Sequence, residues 1–126
     1  MKESSFPKWL KNAYLNLEQL SVLEENWNGR GAPEINSGIL VAAEELFLGI
    51  RNRLPLDFPS PAIIPLEDGR LQIEWATRIK YVEIEFLDIY RVNCLLEEFS
   101  KVVFNEELLV DDLIMIAAVL KRFADI

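Results

Sequence analysis

The chain has 126 residues, 51% of them hydrophobic, which is enough for one domain over residues 1–126 with its own core. A formal net charge of −8 excludes general attraction to DNA or RNA phosphates, which rests on Lys and Arg, and fits a basic protein partner better. Having no histidine and only one cysteine, the chain lacks the usual zinc ligands, a His-dependent triad and any internal disulfide.

From Ser5, a capping residue followed by Pro7, the apolar residues Trp9, Leu10, Ala13, Leu17 and Leu20 recur at helical spacing, which predicts a first helix ending near Leu23. The tract from Leu23 to Pro33 then places Trp27, Gly29, Gly31 and Pro33 between two amphipathic segments, the pattern of a specified loop. Gly29-Arg30-Gly31 has only a partial likeness to a phosphate-cradling loop, since no strand precedes it and no Lys-Ser/Thr follows. Two roles are open for Trp27: packing on the core, or anchoring a partner together with Arg30, because Trp and Arg are favoured binding residues.

A second helix follows, capped by Asn36 or Ser37, with Ile39, Ala42, Ala43, Leu46 and Ile50 on one stripe and Gly49 as a weak point. Pro55, Pro59, Pro61 and Pro65 forbid helix and favour an extended crossing in which Ala62-Ile63-Ile64 can form an edge strand. Asp68-Gly69 carries the signal of a two-residue type I′ hairpin, after which Leu71, Ile73 and Trp75 alternate with Gln72 and Glu74. Val82, Ile84 and Phe86 alternate with Tyr81, Glu83 and Glu85 in a third strand, giving one buried and one wet face. Val92 to Phe99 and Lys101 to Phe104 read as a fourth and fifth strand.

Asn105 can cap a final helix with Glu106, Glu107, Asp111 and Asp112 in its first turns and Lys121 and Arg122 in its last, matching the helix dipole at both ends. The order implies an α+β fold: an antiparallel β-meander of four to five strands with two N-terminal helices and one C-terminal helix.

Cys94 sits in an apolar run and reads as a core thiol. Glu74, Glu83 and Glu85 share the polar sheet face, where carboxylates could hold a cation or serve as an acid/base pair; a solvated face balanced by Arg78, Lys80 and Arg91 is the simpler account. In the last helix, Leu113 to Leu120 leaves no polar stripe for more than two turns. If Leu113, Ile116, Leu120 and Phe123 dock on the sheet, then Ile114, Met115, Ala118 and Val119 face something else, either the other helices or a second chain. That length is far short of the ~20 residues that span a bilayer, and Met1 to Pro7 has no apolar signal core, so a soluble, cytoplasmic protein without membrane contact is expected.

Trp27-Asn28-Gly29-Arg30-Gly31-Ala32, with Pro33 after it, and Asp68-Gly69-Arg70-Leu71-Gln72-Ile73-Glu74-Trp75 together resemble a group of small bacterial proteins. In that group a Trp-Asp/Asn-Gly-x-Gly-Ala motif precedes a helix, and a Pro-rich segment leads to an Asp-Gly hairpin ending in Glu-Trp. The resemblance spans about Leu23 to Phe86 and implies a bacterial or phage origin and a shared fold, with no catalytic residue to carry over.

The expected function is therefore non-enzymatic: a protein-interaction module, antitoxin-, immunity- or inhibitor-like, or an accessory subunit of a bacterial or phage defence system. It would act through the apolar C-terminal helix and the acidic surface, with Trp27, Arg30, Met115 and Val119 as partner-binding candidates, a basic protein or a second copy as partner, and no cofactor or metal. The alternative is a small enzyme or ligand-binding domain using Glu74 and its neighbours on the sheet face, which requires a concave pocket with converging carboxylates.

Overall fold

The computed structural model describes residues 6–125. Two helices, α1 (Lys8–Ser21) and α2 (Ser37–Ile50), precede a 3-10 turn (Arg51–Arg53). Five strands follow, β1 (Ala62–Pro65), β2 (Leu71–Ala76), β3 (Lys80–Phe86), β4 (Arg91–Glu98) and β5 (Lys101–Leu109), and then a last helix, α3 (Leu113–Phe123). The strands pair antiparallel in sequence order, so β1 and β5 are the edges of one meander. This is the expected α+β arrangement.

The period-2 pattern sets the register. Ile73 pairs with Ile63 on one side and Ile84 on the other, and Ile84 pairs in turn with Cys94. Leu71, Ile73, Trp75, Val82, Ile84 and Phe86 are all buried on one face, while Gln72, Glu74, Glu83 and Glu85 lie on the opposite one, as the alternation requires. All three helices cover the apolar face: α1 with Trp9, Leu10, Ala13 and Leu17, α2 with the expected stripe plus Phe47, and α3 with Ile116, Ala117, Val119, Leu120 and Phe123. Edge-to-face ring contacts run from Phe47 to Trp9 (6.2 Å), Trp9 to Phe58 (6.5 Å) and Phe58 to Trp75 (5.9 Å), tying the proline-rich crossing between helix and sheet. The Trp75 indole N–H donates to the Pro59 carbonyl at 2.7 Å.

Several local expectations are corrected. The Ser5 cap lies outside the described residues; the helix begins at Lys8 behind Pro7, with no side-chain cap. Of the two expected caps of α2, Asn36 is the one used, accepting from the Ile39 N–H. Gly49 is a point of close approach, because a Cβ there would sit 2.7 Å from the Leu113 side chain. At Asp68-Gly69 only the glycine takes a positive φ, so the turn is not type I′. Gly69 N–H donates to the Leu66 carbonyl and Leu66 N–H to the Arg70 carbonyl, the longer loop in which a left-handed glycine follows a turn. The two-residue turn with both φ positive is Phe99-Ser100, between β4 and β5, where no glycine or asparagine announces it.

The largest correction concerns the last helix. Asn105, Glu106 and Glu107 belong to β5, where Asn105 pairs with Leu95, Glu106 with Cys94 and Glu107 with Asn93. Apolar neighbours at Phe104, Leu108 and Leu109 and the Asn93–Asn105 side-chain bond of 2.9 Å favour the ladder over helix. Asp112 is the true cap, accepting from the Met115 N–H, and Lys121 and Arg122 occupy the last turn as expected.

Because Ile73 and Ile84 are fully buried, truncation of either to alanine is expected to destabilise the chain by about 2–5 kcal/mol. Denaturant unfolding measures this, and a loss within the error of a surface substitution would refute the register.

Candidate interaction surface

The glycine loop is held by its own asparagines. Asn28 Oδ1 accepts from the N–H of Arg30 (2.9 Å) and of Ala32 (3.1 Å), and Asn26 Oδ1 from the N–H of Gly31 (2.6 Å). Asn26, Gly29 and Gly31 adopt positive φ, and Asn26 N–H returns to the Ala32 carbonyl at 2.7 Å. The amides that would cradle a phosphate are thus consumed inside the loop. Trp27 is half-buried against the core and its indole N–H donates to the Pro33 carbonyl at 2.9 Å, stapling the loop shut. Arg30 is exposed, 3.8 Å from an equally exposed Glu67, a pair of little energetic weight.

The two sequence motifs meet in space. Asn36 N–H donates to the Gly69 carbonyl at 2.9 Å, and a Cβ on Gly69 would lie 3.0 Å from the Glu34 carbonyl oxygen. The glycine loop and the Asp-Gly hairpin are therefore two halves of one contact at the start of α2.

No described helix covers the outer sheet face. Glu74 pairs with Glu83 across β2 and β3, and the Tyr81 hydroxyl lies 2.5 Å from Glu74 Oε2 and 2.7 Å from Glu83 Oε1, with Gln72 Nε2 donating to the same Glu74 oxygen. Partial burial, then the two carboxylates, push the Tyr81 phenol well above its ordinary range, because each disfavours phenolate. Arg70 joins Glu85 and Asp68, and Arg91 joins Asp88 and Glu107. Lys80, expected to balance this face, points to the other side. There it contacts Asp125, Glu98 and the Arg122 carbonyl, and with the Arg122–Glu98 pair it fastens the end of α3 to the sheet. The principal clefts of the described chain do not include Glu74, Glu83 or Glu85.

Cys94 is buried in the sheet and burial pushes its thiol up to about 12, so it is a core residue with little thiolate at neutral pH.

The two faces of α3 divide differently from the sequence expectation. Ile114 is 70% and Met115 40% exposed, and Ala118 is exposed, whereas Val119 is 5% exposed and packs inside this chain with Ile116 and Leu120. Val119 therefore serves the core, and Met115 remains the surface candidate. Just before α3, a cleft of ≈ 730 Å³ opens between α2, the β3–β4 turn and the end of β5. Val41, Ile89, Tyr90, Leu109 and Val110 give it an apolar lining, and the charged residues on it, Glu45 and Asp111, are both carboxylates. Sequence reasoning missed this cleft because its parts lie on three separate elements; the only signal was the unpaired apolar character of Val41, Tyr90 and Leu109 on otherwise polar surfaces.

Comparison with family models, curated proteins and solved structures finds no match to this chain.

The raised Tyr81 group has a definite sign. Its folded-state proton is held above the unfolded value, so its contribution to stability is complete below about pH 10 and is lost as pH rises further. Tyr81→Phe should flatten the alkaline limb of the stability profile, measured by denaturant unfolding across that range; an identical limb in the variant would show that Tyr81 does not cause it.

Proposed function

We propose that this chain is a non-enzymatic protein-interaction module whose partner is a basic protein, the role of an antitoxin, immunity protein, inhibitor or accessory subunit in a bacterial or phage defence system. The observation that carries this reading is the apolar cleft of Val41, Ile89, Tyr90, Leu109 and Val110, charged only by Glu45 and Asp111. Apolar side chains in a cleft supply affinity by desolvation, and carboxylates beside them select a segment bearing Lys or Arg. Exposed Ile114 and Met115 at the start of α3 and the chain charge of −8 extend the same chemistry beyond the cleft. That charge also works against self-association, since two copies would bring −8 against −8.

Binding and folding separate cleanly on this surface. Tyr90→Lys and Met115→Lys should leave circular dichroism unchanged and each weaken capture of a basic partner from the native host by about tenfold or more. Val119→Lys should unfold the chain, because it places a charge in the core. A stoichiometric partner held undiminished by both surface variants, or the absence of any basic partner, would overturn the proposal.

A further inference from the structure

Strand β5 is the long edge of the sheet, and seven of its nine residues are exposed. The opposite edge, β1, has only four residues. Long exposed edges are templates for another strand unless they are blunted. The register of β5 shows which of its backbone groups are free. Val110 N–H donates to the Tyr90 carbonyl, and antiparallel ladders alternate bonded and non-bonded pairs, so Leu108, Glu106 and Phe104 turn their amides toward Val92, Cys94 and Leu96 of β4. The N–H and C=O groups of Asn105, Glu107 and Leu109 therefore point away from the sheet.

The side chains of these residues leave that row open. Asn105 is drawn back over the sheet by Asn93 and Glu107 by Arg91, at 2.9 and 3.4 Å. Leu109, at the end of the row, lines the apolar cleft. The charge around the row is one-sided: Glu106, Glu107, Asp111 and Asp112 stand against Lys101 alone between positions 101 and 112.

We infer that β5 accepts an extended, basic segment of the partner as a sixth strand, bonded to the backbone of Asn105, Glu107 and Leu109, with an apolar side chain carried on into the cleft. This rests on the basic-partner reading above and adds the mode of recognition. Main-chain bonds of this kind supply affinity while alternate side chains supply selectivity. A second copy is a poor occupant, because symmetric antiparallel pairing along the same row sets Glu107 opposite its own counterpart.

The test uses a phage-displayed library of random dodecapeptides panned against the full chain. Enriched peptides should alternate apolar residues with Lys or Arg. Their affinity should fall about tenfold or more for Glu107→Pro, which removes an outward N–H at a position where an edge strand tolerates proline, and only a few-fold for Glu107→Gln, which removes the charge and keeps the backbone. In the wild-type complex, intermolecular nuclear Overhauser contacts should join the peptide backbone to the amides of Asn105, Glu107 and Leu109, a readout that holds even if the proline variant fails to fold. Basic peptides that bind without those contacts would overturn strand addition and leave the basic-partner reading standing. Enrichment without Lys or Arg, or no enrichment, would overturn both.

Discussion

Everything in this fold depends on a single-sided core. Apolar residues alternate along β2, β3 and β4 so that one sheet face can be dried completely, and three helices converge on that face alone. Nothing among the described residues is left to cover the other face, which must therefore be polar, or to cover β5, which must therefore be tolerant of water. The ring contacts from Phe47 through Trp9 and Phe58 to Trp75 extend the same dry layer under the proline-rich crossing, so that a segment unable to form helix still closes the core. Function is confined to what this arrangement leaves exposed.

Much of that arrangement was legible because it is periodic. The stripe of α2 and the alternation of β2 and β3 can be read directly from the positions of Ile39, Ala42, Leu46, Ile73 and Ile84, since burial on one face and side-chain period are the same fact seen twice. Reading failed where tertiary partners decide. Asn105, Glu106 and Glu107 look like a helix start, and Asp112 is an equally good cap; pairing opposite Leu95, Cys94 and Asn93 resolves the choice in favour of strand. Phe99-Ser100 takes the tight turn with both φ positive although neither residue is the glycine or asparagine that such a turn favours, and the pairing of β4 with β5 on either side holds it there. Helical spacing leaves Val119 free to face the other helices or a second chain, and the structure buries it inside this chain with Ile116, Leu120 and Phe123.

The glycine loop shows the opposite case, a motif in which the asparagines, the glycines and the Trp27 indole hold the loop itself while Arg30 stays exposed. Asn26 and Asn28 occupy the loop amides, Trp27 closes it onto Pro33, and Gly69 admits the Glu34 backbone at close range. The two motifs, far apart in sequence, thus meet in one contact at the start of α2. The apolar residues that the fold leaves at the surface are quieter: Val41, Tyr90 and Leu109, none within a motif, line one cleft beside Glu45 and Asp111. Their number is small, but a few well-placed apolar and aromatic groups commonly carry most of an interface's energy.

Strand β5 is bonded on one side only, and native-state hydrogen exchange of the free chain reads this residue by residue. Amides of Phe104, Glu106, Leu108 and Val110 should exchange slowly, and those of Asn105, Glu107 and Leu109 quickly, while the buried rows of β2 to β4 exchange slowest of all. Uniform protection along β5, or uniform exposure, would contradict a free and ordered edge.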